Sequence, residues 1–133
     1  ASFHPVIASQ PDGVTDGFYT FAQFDTPSRE NCDEWVCNWI DKYEGIYGNS
    51  PNIGSAYGYM YADITAKAIE IAGSDLNVDS FTSGLESIDN YEMPFGESVL
   101  SWGPDKHLGS SDAYLFVVED GRFVRADSKK YEY

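Results

Sequence analysis

The sequence has 133 residues, enough for one domain with a real core, because a chain of this size buries roughly two-thirds of its surface on folding. It is 42% hydrophobic, with ten Tyr, eight Phe and three Trp, which is a globular and not a disordered composition. Eight Lys and Arg against 22 Asp and Glu give a net charge of −14, which repels nucleic acid and anionic membrane and argues against either as a partner. The acidic residues are scattered and not gathered as in a calcium loop, so their plain reading is solubility. No apolar run approaches the ~20 residues of a membrane span, so no membrane insertion is expected. The opening ASFHPVIASQ has no basic start, no apolar core and no initiator Met. It does not read as a signal peptide, and we expect a processed or excised piece.

Residues 1–16 read as an irregular lead-in broken by Pro5, Pro11 and Gly13. Gly17 to Phe24 (GFYTFAQF) reads as a strand, and aromatics on both alternating sets suggest burial on both faces. Asp25 to Glu30 is a loop. A helix follows from about Asn31 or Asp33 to Tyr47, with Asn31 and Glu34 spaced as a capping box. Trp35, Val36, Trp39, Ile40, Tyr43, Ile46 and Tyr47 repeat at three and four, and Gly48 ends the helix. Cys32 and Cys37 are too far apart to bridge inside one helix, but a disulfide is open to them if Cys32 precedes it. CDEWVC is neither a CxxC redox motif nor a zinc pattern.

Ser50 to Gly73 reads as one long helix, with Ser50 as N-cap, Pro51 in the first turn and Gly73 at the C-terminal end. Its polar stripe is thin, Asp63, Lys67 and Glu70, so we expect neighbours on several sides. The brief loop before it should hold it close to the preceding helix. A third, short helix starts at Asn77 or Asp79, carries Val78, Phe81, Leu85 and Ile88 on one face and is weakened by Gly84. Asp89 to Gly96 is a turn-rich connector. Ser98 to Trp102 is a short strand, and Ala113 to Glu119 pairs with Arg122 to Ala126 across the Asp120-Gly121 turn. Residues 127–133 read as frayed.

Catalytic constellations are missing from the pattern. His4 and His107 have no ligand-spaced companions, so neither a metal site nor a cofactor is expected. GYGYMY is not a phosphate cradle, and no nucleophile motif is present, so the chain is read as no enzyme. Tyr57, Tyr59 and Tyr61 alternate around a helix and cannot all line one site. They read as core, or else the helix start lies at a cleft where Ser55, Tyr57 and free backbone N–H groups meet a ligand carboxylate.

The ordered set GFYTFAQF, KYEGIYGNSPN, AYGYMYADITAKAIEIAG, SFTSGLESI and SVLSWGPDKHLGSSDAYLFVVEDGRFV resembles the C-terminal third of type I periplasmic substrate-binding proteins, over roughly residues 13–126. The similarity is to the branched-chain amino acid and amide branch of ABC transporters. It lies in a GxY-type helix after a YG-x-x-PN turn and in a closing strand, loop and DG hairpin. It implies a partial α/β fold, three helices packed on a few strands with a C-terminal β-hairpin. It implies that residues of about 31–90 belong to one lobe and that strands of about 17–24 and 97–126 lie near the hinge and second lobe. It further implies a small-molecule ligand between two lobes, an ABC permease as partner of the parent protein and a periplasmic or extracellular location. Gly54, Ser55 and Tyr57 are the ligand-binding candidates. Relatives often carry an aromatic residue where Gly54 stands, and the turn before the last strands aligns with Phe95 and Gly96. The apolar breadth of the central helix makes either a homodimer or a longer parent the expected setting. A ligand-sensing receptor ectodomain of the same fold and an unrelated small α+β interaction module are the alternatives.

Overall fold

The computed structural model describes residues 3–30 and 32–132. In chain order it contains α1 (Pro5–Ala8), a tight turn at Pro11–Gly13, β1 (Tyr19–Ala22), α2 (Glu34–Tyr47), α3 (Ile53–Ala72), α4 (Val78–Glu86), β2 (Tyr91–Glu92), β3 (Val99–Leu100), β4 (Asp112–Glu119) and β5 (Arg122–Glu132). An antiparallel sheet runs β1-β4-β5, and β2 pairs with β3 apart from it. The architecture is mixed α/β, with the three helices α2, α3 and α4 and the closing hairpin in the expected order.

The lead-in is more ordered than its breakers suggest. His4 Nδ1 accepts from the Val6 N–H at 3.2 Å and starts α1, with Pro5 in the first turn where its missing N–H is harmless. Phe3 packs on Phe116 and Phe123, with ring centroids 4.6 and 4.7 Å away, so this segment closes one end of the core. The expectation for β1 also needs correction. Thr20 and Ala22 are buried, but Tyr19 and Phe21 stand exposed, although the Tyr131 ring lies edge-on to Phe21 at 5.4 Å.

Asp33 caps α2, its Oδ1 accepting from the Val36 N–H at 2.8 Å. The alternative capping box through Asn31 lies outside the described residues. Cys32 precedes the helix, its Cα lies 5.3 Å from that of Cys37, and the two form a disulfide. Val36 and Ile40 are buried, whereas Ile46 and Tyr47 at the far end are exposed. Gly48 ends α2 at φ 70, a left-handed conformation that glycine adopts without a Cβ penalty.

Asn52, not Ser50, caps α3. Asn52 Oδ1 accepts from the N–H groups of Gly54 and Ser55 at 2.8 and 3.2 Å, and Ser55 Oγ accepts the Asn52 N–H at 3.3 Å. This capping box satisfies three end groups at once, which a cap at Ser50 could not match. The Ser50 hydroxyl instead donates to Glu44 at 2.7 Å. The expectation of burial on several sides also fails. Ile53, Ala56, Met60, Ile64 and Ala68 form one buried seam, while Tyr61, Ile69 and Ile71 are exposed. The seam packs on α4 and the core residues behind it, and α2 meets the helix through Trp35 and Trp39 at Tyr59 and Tyr43 at Ser55.

Asn77 caps α4 through a second capping box with Ser80. Phe81 and Leu85 pack on the core, Ile88 is buried just beyond the helix, and Val78 is exposed. Gly84, a weak point by helix propensity, has a packing role here. A Cβ at that position would run into the Ala68 carbonyl oxygen and lie 3.3 Å from the Ala72 nitrogen, so glycine lets α3 and α4 cross backbone to backbone.

The connector after α4 contains β2, which pairs Tyr91 with Leu100 and Glu92 with Val99. At the other end, residues 127–132 are not frayed but continue β5. The register shifts between Tyr114 and Phe116, and pairing resumes with Lys130 opposite Tyr114 and Tyr131 opposite Ala113. Lys130 Nζ to Asp112 Oδ2 at 2.8 Å and Tyr131 Oη donating to Asp127 at 2.8 Å hold that end. The Asp120-Gly121 turn has φ 49 and 74, the two positive values a two-residue type I′ turn requires.

Candidate functional site

The first turn of α3 is built around Ser55. Its Oγ donates to Tyr43 Oη at 3.0 Å while accepting from Asn52, which ties α2 to α3 at their near ends. The two helices meet again through Tyr59, whose ring lies 5.6 Å from Trp35 and 6.0 Å from Trp39. The N–H groups of Gly54 and Ser55 are held by the Asn52 side chain. Gly54 itself is exposed, and an added Cβ would meet Asn52 Oδ1 at 3.1 Å.

Tyr57 faces elsewhere. Its ring packs on Phe24 at 4.7 Å and stacks on Tyr61 at 5.8 Å with an interplanar angle of 26°. Both tyrosines line a groove of about 300 Å³ between α3, α4 and the segment 100–110. Its walls are Met60, Ile64, Phe81, Leu85, Leu100, Trp102 and Leu108, with Gln23, Thr65 and Ser110 as polar members, and none carries a charge. Gly109 lets Trp102 lie flat against the chain, since a Cβ there would sit 2.6 Å from the indole. A small concave, mostly apolar space with a few polar groups is the usual form of a small-molecule site. Helical spacing explains which tyrosines share it: Tyr57 and Tyr61 are four apart, and Tyr59 turns away to Trp35, Trp39 and Phe95. Of the three sequence candidates, Tyr57 lines the groove and Gly54 and Ser55 lie one turn earlier, outside its walls.

A second cavity of about 290 Å³ lies beside the segment from Pro94 to Glu97. Arg125 sits there, with Nη2 2.7 Å from Asp25 and Nη1 3.3 Å from Glu97, and its guanidinium lies 4.0 Å from the centre of the Tyr114 ring. Burial weakens its charge, but hydrogen bonding to Asp25 and the nearby carboxylates outweigh that and hold it firmly protonated. Burial, with Glu97 beside it, pushes the Tyr114 hydroxyl above its ordinary range. Arg125 carries no local sequence signal, because its partner Asp25 lies one hundred residues away in the chain. Gly96, aligned there with the hinge turn, packs 2.8 Å from the Phe24 Cβ by the position an added Cβ would take.

Other polar groups serve the framework. Tyr91 Oη donates to Asp63 at 2.9 Å, and burial first, then that carboxylate, raises its pKa far above the usual phenol. His107 is exposed and lies 3.5 Å from Glu86. Among the described residues no cluster of three His, Cys, Asp or Glu is placed to hold a metal ion, and no helix is long and apolar enough to cross a membrane.

A family model described as periplasmic binding protein matches residues 2–122. No curated protein matches the chain. Among solved structures it is similar to a branched-chain amino acid ABC transporter protein from Thermus thermophilus with bound valine, at 14% identity and TM-score 0.77, over 98% of this chain and 37% of that one. A leucine-binding protein from Thermotoga maritima aligns at 16% identity and TM-score 0.69, over 92% of this chain and 33% of the other. A solute-binding protein of an ABC transporter from Rhodopseudomonas palustris, in complex with 3,4-dihydroxybenzoic acid, aligns at 17% and TM-score 0.68, over 97% and 34%. The chain thus spans about a third of the length of the structures it resembles.

Proposed function

The chain belongs to the periplasmic binding protein family, and on that premise we propose that it is part of the extracytoplasmic solute-binding component of an ABC importer. The solute is a small amino acid, amide or aromatic acid held between two lobes. Residues of about 31–90 belong to one lobe, and the strands of about 17–24 and 97–126 lie near the hinge and the second lobe. The permease of the importer is the macromolecular partner, reading lobe closure, and the location is periplasmic or extracellular. No chemistry is performed on the solute.

The observation that carries this reading is the family match across residues 2–122, nearly the whole chain. The groove at Tyr57 supports it. Its walls are apolar and aromatic and free of charge, so they suit the side chain of a branched or aromatic solute and not its ionic end. Tyr57 is the member of the trio placed to touch the apolar part of the solute. Ser55 and Gly54 set the helix start from which Tyr57 projects.

Thermal-shift titration of the full-length protein that carries these residues tests the reading. Leucine, valine, benzoate, 3,4-dihydroxybenzoate, benzamide and acetamide form the panel. Specific binding raises the melting temperature with solute concentration by mass action. A saturable rise with one chemical class supports the proposal, and a flat response to every class overturns it.

A further inference from the structure

Three consecutive residues after β2 meet three different parts of the molecule. The Phe95 ring sits among Trp39 and Trp35 of α2 and Tyr59 of α3, with centroids 4.7, 5.7 and 5.9 Å away. Gly96 lies against the exit of β1, where an added Cβ would come 2.8 Å from the Phe24 Cβ and 3.4 Å from the Gln23 carbonyl oxygen. Glu97 meets the sheet: its Oε1 lies 3.3 Å from Arg125 Nη1 on β5, and its Oε2 accepts from Tyr114 Oη on β4 at 3.3 Å. The turn is closed on itself, the Met93 N–H donating to the Ser98 carbonyl at 3.3 Å and the Gly96 N–H to the Met93 carbonyl at 3.4 Å, so its residues are positioned together. All of these partners lie within the chain itself.

The foot and the tip of this turn are held differently. At the foot, Ser98 Oγ donates to Asp112 Oδ2 at 2.8 Å, which seats it on β4. At the tip, the cavity of about 290 Å³ borders Pro94 to Glu97, so packing does not fix the turn on that side; Arg125, in the cavity wall, does. Its Nη1 takes Glu97, its Nε and Nη2 both take Asp25 Oδ2, at 3.0 and 2.7 Å, and its plane lies over the Tyr114 ring. Asp25 lies in the crossover from β1 to α2. A rigid planar fork serves two carboxylates on separate segments at once, which a lysine ammonium on a flexible stem does not. The Arg125 side chain is 25% exposed, so water screens its pairs less than the Arg122–Glu30 pair on the same strand, where the side chains are 66% and 79% exposed.

We propose that Arg125 is a positioning residue that locks the tip of this turn and the start of the crossover to the sheet, and so fixes how α2 and α3 sit relative to β1-β4-β5. Without it the turn swings about its foot at Ser98, and Phe95 carries the two helices with it. The helices keep their own hydrogen bonds and the sheet its ladder, so what is lost is the arrangement and not the elements. The consequence for solute binding rests on the function proposed above. Phe24, against which Gly96 packs, is also the ring on which Tyr57 rests at 4.7 Å. A spread of arrangements lowers the share of molecules in which Tyr57 is correctly placed, and the apparent affinity falls by that share.

Pulsed dipolar spectroscopy on the full-length protein, with spin labels at Asn38→Cys on α2 and Lys129→Cys on β5, both exposed positions, reads the arrangement directly. The Cys32–Cys37 disulfide offers no thiol to the label. The solute-free parent should give one narrow distance distribution, and Arg125→Met should broaden it or add a second distance. Arg125→Lys should restore it only in part, because the charge returns without the fork. Glu97→Gln, which weakens one arm, should broaden it less than Arg125→Met does. Arg122→Met removes the same charge from the same strand at an exposed pair and should leave it unchanged. Circular dichroism checks that the fold is kept. Calorimetry with the solute that stabilises the parent should show affinity about fivefold lower in Arg125→Met, as a competent share of about one fifth gives. A distribution in Arg125→Met as narrow as in the parent overturns the lock, and so does equal broadening in Arg122→Met; where Arg125→Met does not fold, Glu97→Gln is judged by the same criterion. A flat solute titration of the parent overturns the proposed function and leaves the distance result standing.

Discussion

Helix α3 has two unlike sides. One is the buried seam of Ile53, Ala56, Met60, Ile64 and Ala68, which meets α4 at Gly84 through Ala68 and packs on the core. The other side carries Tyr57 and Tyr61, which together with Met60 and Ile64 at the border of the seam line a groove of about 300 Å³, and beyond it Ile69 and Ile71 in water. Both sides are apolar, so hydrophobicity alone does not tell them apart. The difference is backbone approach: the seam lets α4 cross closely at Ala68, opposite Gly84, and the groove side uses rings that leave space. The seam accordingly carries stability, and we assign the groove side to recognition.

Substitutions can break this contrast. Met60 is almost fully buried in the seam, so Met60→Ala should cost roughly 2–5 kcal/mol, read as a fall in the denaturation midpoint. Gly84→Val should cost about 1–3 kcal/mol, because the new atoms meet the Ala68 carbonyl and the backbone of α3 has no room to move. Tyr61→Ser on the groove side should fall within about 0.5 kcal/mol of the parent, the usual range for an exposed position. If Tyr61→Ser proves as damaging as Met60→Ala, the two sides are not separable.

Smaller effects sharpen the comparison at the helix ends. The Asn52 cap holds two N–H groups, so Asn52→Ala should cost about 1 kcal/mol, while Ser50→Ala should leave helix content unchanged. Urea denaturation of the pair distinguishes the two capping assignments. Asp112 gives a pH signature. Its burial works against the charge, but Lys130 and Ser98 hold its pKa below the ordinary carboxylate. A folded pKa lower than the unfolded one contributes stability that is present above the unfolded value and lost as pH falls through the folded one. Stability should therefore drop below about pH 4, and that drop should be shallower in Asp112→Asn. A melting series from neutral to acid pH measures both.

Much of the framework was legible in the residues. The periodicity of α2, α3 and α4, the strong strand from Ala113 to Glu119 and the Asp-Gly turn depend on neighbours within a few positions, and apart from the start of α3 at Asn52 they stand where local pattern puts them. What escaped depends on distant partners. Phe3 joins the core only because Phe116 and Phe123 lie beneath it, and the far end of β5 is held by the Asp112–Lys130 pair across a register shift. Gly84 looked like a weakness because helix propensity ignores the helix it crosses. The candidate site was legible in part. Tyr57 projects into the groove, but Trp102, Leu108 and Gln23 reach it from separate segments and carried no local signal. Gly54 and Ser55 stand in the first turn, where the Asn52 cap engages their N–H groups.

The most direct test is calorimetric titration of Tyr57→Ala in the full-length protein, with the solute that raises its melting temperature most. We expect affinity to fall by about tenfold or more, as loss of an aromatic contact to the solute gives, together with a lower melting temperature of the solute-free protein because Tyr57 also packs on Phe24. Unchanged affinity would contradict the assignment of this side of α3 to the solute.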